Sequence, residues 1–187
     1  MPGNVAAGPE AYRREWCEAC VAAGAESVWL AEHVVVIGHH ARTFPYRADG
    51  EMADGVAAPR PDPLTVLSWI AAQHPSLMVG TAVLIAPLHN PVLLAKQAAT
   101  LSVLSGGRLL LGLGVGWQEE EFQAVGFPFA DRGVRIEELV NAMRALWSDS
   151  PASFNGEFVA FEDAIHRENS EVNGFALLEE LPGVLRA

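Results

Sequence analysis

Residues 108–117, Arg-Leu-Leu-Leu-Gly-Leu-Gly-Val-Gly-Trp, end a short apolar run in three alternate glycines, Gly112, Gly114 and Gly116. Gln118-Glu119-Glu120-Glu121-Phe122 follows at once and opens a helix. Glycine tolerates positive φ and lets another backbone or a ligand come close. A strand ending in such a loop is where α/β proteins bind cofactors, outside the carboxyl ends of the strands. Tight packing of strand against helix explains the same glycines, and both readings stand at this level. A dinucleotide-binding motif does not fit, because Gly112-x-Gly114-x-x-Trp117 lacks the third glycine and comes after earlier α/β units.

Other reactive side chains suggest less. Cys17-x-x-Cys20 lies inside a predicted helix and has no second pair to complete a zinc site, so buried structural thiols are expected. His33, His39, His40 and His89 allow a metal-dependent hydrolase as an alternative, yet adjacent histidines on a regular strand cannot both face one ion. Their spacing matches no standard ligand set, and no metal site is assigned. Glu119, Glu120 and Glu121 suit the positive end of a helix and are expected to form a solvated acidic turn.

The elements that must position these groups follow from pattern. Residues 10–23 read as a helix with Tyr12, Trp16, Ala19 and Cys20 on one face, and Gly24 stops it. A strand over Ser27–Val34 carries Glu32 and His33, which point to opposite faces, so one of the pair is structural. Residues 37–63 hold clustered Gly, Pro, Asp and Arg and form a long loop. A helix from Leu64 to Gln73 and a strand from Leu77 to Ile85 come next. Asn90 caps a helix that begins at Pro91, buries Leu94, Ala98 and Leu101, and ends at Gly106-Gly107. Asp131 caps a longer helix whose Ile136, Val140, Met143 and Trp147 share a stripe, and Asn155-Gly156 signals a tight hairpin. Helices and strands that alternate in this way imply a parallel α/β sheet or barrel.

With 187 residues, half of them apolar, the chain can build one sizeable core. Its formal net charge of −11 argues against non-specific nucleic-acid or anionic-membrane binding. No run reaches the ~18–20 apolar residues of a membrane helix, and Met-Pro-Gly-Asn is no signal peptide, so a cytoplasmic protein is expected.

Several linked motifs stand in order: Trp29-Leu30-Ala31-Glu32-His33, Gly80-Thr81-Ala82-Val83-Leu84, Asn90-Pro91-Val92-Leu93-Leu94-Ala95-Lys96-Gln97, Leu104-Ser105-Gly106-Gly107-Arg108-Leu109, Gly112–Trp117 and Phe154-Asn155-Gly156-Glu157-Phe158. Together they resemble the luciferase-like monooxygenase superfamily, flavin-type enzymes built on a TIM barrel, and within it the branch that uses the deazaflavin coenzyme F420. The resemblance implies a cofactor-dependent oxidoreductase acting on a small molecule by hydride transfer, or by oxygenation if FMN takes the place of F420. It implies that His33 stands beside the ring as a catalytic or ligand-orienting group, and histidine is well suited to exchanging protons near neutrality. A satisfied core histidine is the alternative.

The implied cofactor surface comprises Glu32, Thr81, Ala82, Val83, Gly112, Gly114, Gly116 and Trp117, with Ala82-Val83 at the place of a non-proline cis peptide. Trp117 stands where relatives that oxidise sugar phosphates or alcohols have a carboxylate, and a tryptophan cannot protonate a substrate.

A complete barrel takes roughly 250 residues and eight strands. Residues 1–164 are therefore expected to form a partial (β/α)₈ barrel without its first and C-terminal strands, and 165–187 an atypical tail. Open sheet edges would call for a second copy or a partner chain, and a non-catalytic fragment that needs such a partner is the competing reading.

Overall fold

A computed structural model describes residues 4–6, 14–39, 44–45, 47–48, 50, 52 and 57–166. Four parallel strand positions, joined through helices, make up an α/β layer. β1 (Asn4–Ala6) is followed by α1 (Arg14–Ala22), β2 (Ser27–Leu30), α2 (Pro63–Gln73), β3 (Met78–Thr81) and β4 (Leu84–Ile85). After a single 3₁₀ turn come α3 (Pro91–Ser105), β5 (Leu109–Leu110), β6 (Leu113–Gly114), α4 (Glu119–Val125) and α5 (Arg132–Ser148), then the hairpin of β7 (Ala152–Asn155) and β8 (Ala160–Ala164). The main sheet runs β1-β2-β3-β5 and is parallel throughout; β4 and β6 form a second parallel pair. The arrangement is a partial barrel, with no closed barrel among the described residues.

The strand ahead of Ser27 corrects the expectation that the first strand is missing. Asn4, Val5 and Ala6 pair in parallel register with Ser27, Val28 and Trp29. The three residues Asn4–Ala6 are too short for a period-two signal, and the open edge of β2 recruits them.

Local signals account for the helix ends. The Asn90 side chain accepts from the Val92 and Leu93 N–H groups at 3.0 and 3.1 Å, and Pro91 takes the first helical position. Gly106 closes α3 in the left-handed conformation at φ 67°. Asp131 departs from its expectation, since it precedes α5 but its side chain makes no capping bond. In α1 the inward residues are Cys17 and Cys20, with Trp16 packed beside them, whereas Ala19 faces solvent. Neither thiol forms a disulfide, and burial raises the pKa of each.

The core lies between the sheet and α2, α3 and α5. Val28, Leu30 and Val79 meet Leu67 and Ile70 of α2, Leu94, Ala98 and Leu101 of α3, and Val140, Met143 and Leu146 of α5. Arg108, at the start of β5, ties the amino-terminal end of this layer together. Its guanidinium donates to the carbonyls of Ser105 at 2.6 Å, Ala71 at 2.8 Å, His74 at 3.2 Å and Leu77.

β7 and β8 join through residues 156–159, where the Gly156 N–H donates to the Val159 carbonyl at 2.9 Å, so the hairpin is tight and turns at Glu157-Phe158, just past Asn155-Gly156. Glu138 of α5 holds this turn, accepting from the Glu157, Phe158 and Val159 N–H groups at 2.8, 2.7 and 2.7 Å. No helix among the described residues is long and apolar enough to cross a membrane.

Candidate functional site

At their carboxyl ends the strands break. β3 gives way to β4 through a cis peptide between Ala82 and Val83, and β5 to β6 through Leu111-Gly112. Across this double interruption the Thr81 hydroxyl replaces the ladder. It donates to the Gly112 carbonyl at 2.7 Å and accepts from the Gly112 N–H at 2.9 Å, fully buried. Thr81→Val keeps the shape and leaves the buried Gly112 N–H unpaired, at ~1–3 kcal/mol, while the Gly112 carbonyl keeps the Leu84 N–H at 2.9 Å. We expect a loss of about 1–3 kcal/mol in denaturant melts; a variant as stable as the parent would show that the ladder needs no such bridge.

The expected strand over Ser27–Val34 stops at Leu30 because the next N–H groups bond elsewhere. The Glu32 N–H donates to the Val83 carbonyl at 3.0 Å, and the Val34 and Val35 N–H groups donate to Glu121 Oε1 at 2.7 and 3.3 Å. Glu32 and His33 turn to different partners. Buried Glu32 accepts from the Ile85 N–H at 2.6 Å and holds His89 Nε2 at 3.0 Å, which fastens the segment after the cis peptide. His33 places Nδ1 2.9 Å from Glu121 Oε2, with a side chain 10% exposed. Its Nε2 has no partner among the described residues.

Around His33 stand two aromatic rings. Trp117 meets it edge to face with ring centroids 6.0 Å apart, and Phe44 meets Trp117 in the same manner at 5.5 Å. Ala82 is exposed and Val83 half-buried, and Val83 seats on Gly114, where a Cβ would lie 2.4 Å from its Cγ2. Gly116 adopts φ +75°, and a Cβ there would meet Ile85 and Phe122 at 2.7 and 2.9 Å. At both glycines the missing side chain admits the protein's own residues. Along the strand ends this leaves a surface poor in side chains, bounded by His33 and Trp117.

Glu121 is the residue that sequence reasoning missed. It is not part of a solvated turn but 1% exposed, and Gln118 beside it is fully buried. Gln118 pairs with both peptide groups of Ile37, donating to the carbonyl at 2.9 Å and accepting from the N–H at 3.4 Å. The spacing of Gln118, Glu121, Phe122 and Val125 is the i, i+3, i+4, i+7 stripe of a helix face, which marks Glu121 as inward. His89, a candidate metal ligand by sequence, is instead the partner of Glu32. The histidines of that alternative do not converge: His33 and His89 sit on separate carboxylates, His39 is exposed, and His40 lies outside the described residues. No cluster of three potential metal ligands occurs among the described residues.

The family model for luciferase-like monooxygenase matches residues 2–182. The F420-dependent glucose-6-phosphate dehydrogenase of Kineococcus radiotolerans is 35% identical over 145 residues, 75% of this chain and 38% of that protein. Among solved structures, monooxygenase RslO1 of Streptomyces bottropensis superposes with a TM-score of 0.68 at 25% identity, over 88% of this chain and 48% of that one. The oxygenating constituent of 3,6-diketocamphane monooxygenase from Pseudomonas putida, in complex with FMN, shares the fold at a TM-score of 0.63 and 19% identity, over 86% of this chain and 43% of its own. The chain spans half or less of the length of the curated relatives it matches.

Proposed function

The chain belongs to the luciferase-like monooxygenase family, and from that membership we propose that its strand-end surface binds the ring system of coenzyme F420 in an oxidoreductase acting on a small molecule. The observation that carries this reading is His33, held at Nδ1 by a buried carboxylate and with no partner for Nε2 among the described residues, directly after Glu32, whose N–H donates to Val83 of the cis peptide. The residues fit a planar ring: exposed Ala82, Val83 packed on Gly114, and the aromatic edge of Trp117. The F420-dependent relative supports a deazaflavin, and FMN is the alternative.

A deazaflavin supplies hydride transfer, and a flavin also supplies oxygen activation. The protein's share is placement and proton handling. His33 Nε2 accepts or returns a proton at the ring or substrate. Trp117 packs edge to face on the imidazole, with Phe44 behind it, and the indole after the third glycine offers no acid, so proton transfer falls to His33.

Fluorescence titration of F420 into the chain tests the reading. Saturable binding that weakens when Ala82 is replaced by a bulky residue is expected. A folded chain that leaves F420 free defeats the F420 assignment, and saturable binding of FMN in its place would move the reading to the flavin.

A further inference from the structure

We propose that Glu121 is the positioning residue that sets the tautomer of His33, fixing the proton on Nδ1 so that Nε2 is the basic nitrogen offered to the reacting groups. The inference rests on the placement of His33 at the cofactor surface, and it concerns a residue 88 positions further along the chain.

The two carboxylate oxygens of Glu121 have different duties. Oε1 faces two backbone donors, the N–H groups of Val34 and Val35 at 2.7 and 3.3 Å. Oε2 faces His33 Nδ1 at 2.9 Å. An ionised carboxylate only accepts, so the nitrogen turned towards it carries hydrogen, and in the neutral ring the other nitrogen is then an acceptor. Burial to 1% exposure removes water as a competing partner and strengthens this preference. Gln118, one turn earlier, holds Ile37 through both of its peptide groups, so the segment carrying His33 is anchored independently of the imidazole contact.

This division of labour makes Glu121→Gln a sharp test. The amide oxygen must remain at the corner facing the Val34 and Val35 N–H groups, because an NH₂ there would oppose two donors. The NH₂ therefore faces His33 Nδ1, which must become an acceptor, and the proton moves to Nε2. The fold is retained and the tautomer is inverted.

Nitrogen-15 NMR of the histidine ring, at a pH where His33 is neutral, reads the effect without any cofactor. The parent protein is expected to show protonated Nδ1 and unprotonated Nε2, and Glu121→Gln the reverse, with little change in melting. Turnover with bound cofactor is expected to fall ~10²–10⁴-fold in the variant, the scale of a misplaced general base. A parent protein with its proton on Nε2, or a variant with an unmoved tautomer ratio, overturns the proposal. Should the variant fail to fold, the parent spectrum decides alone. If the tautomer inverts while replacement of His33 itself leaves turnover intact, Glu121 keeps its positioning role and the cofactor-site reading of His33 falls.

Discussion

Replacing His33 with asparagine is expected to slow cofactor-dependent turnover ~10²–10⁴-fold, the contribution typical of a positioned acid–base group. The substitution removes the imidazole, the side-chain type suited to exchanging protons near neutrality. It leaves the surroundings largely in place. Glu121 retains its bonds to the Val34 and Val35 N–H groups, and Gln118 retains Ile37. The unpaired oxygen left on Glu121 costs about 1–3 kcal/mol at most, and less if the asparagine amide donates to it. The outcome is then a functional loss in a protein that still folds. Single-turnover kinetics at saturating cofactor, beside a melting curve, separates the two; an unchanged rate in a folded variant would remove His33 from the chemistry.

Arg108→Met is expected to do the opposite, lowering stability by about 3 kcal/mol while leaving cofactor binding by the folded fraction unchanged. Arg108 sits at the amino end of β5, away from the strand ends that form the site, and donates to carbonyls of Ala71, His74, Leu77 and Ser105. These belong to the ends of α2 and α3 and to the chain entering β3, so one side chain joins three elements. Methionine replaces the aliphatic stem but none of the donors, and half-burial of the position lets water recover part of the loss. For a chain of this size the deficit corresponds to a fall in Tm of roughly 6–12 °C. Arg108→Lys should recover only part of it, since a single ammonium cannot reproduce the fork. A methionine variant that melts with the parent would show that these carbonyls are satisfied without the guanidinium.

The features legible in the sequence are those whose causes lie within a few residues. Asn90, Pro91 and Gly106 bound α3 because a cap, a preset φ and a left-handed stop act on the adjacent turn. The stripe of Ile136, Val140, Met143 and Trp147 is buried as its period requires. The alternation of helices and strands was enough for the α/β class, and the motif order for the family and for the cis peptide at Ala82-Val83.

What tertiary structure alone decided involves partners far apart in sequence. β1 exists only where the edge of β2 receives it. The strand carrying Glu32 and His33 ends early because distant side chains and the bulge claim its N–H groups. Whether an acid in a run of three is solvated or buried depends on which loop folds over it, and no local pattern of charge contains that loop. Composition and period therefore determined the class and most of the elements, whereas the packing of residues 33–37 against α4 decided that Glu121 is the carboxylate holding His33.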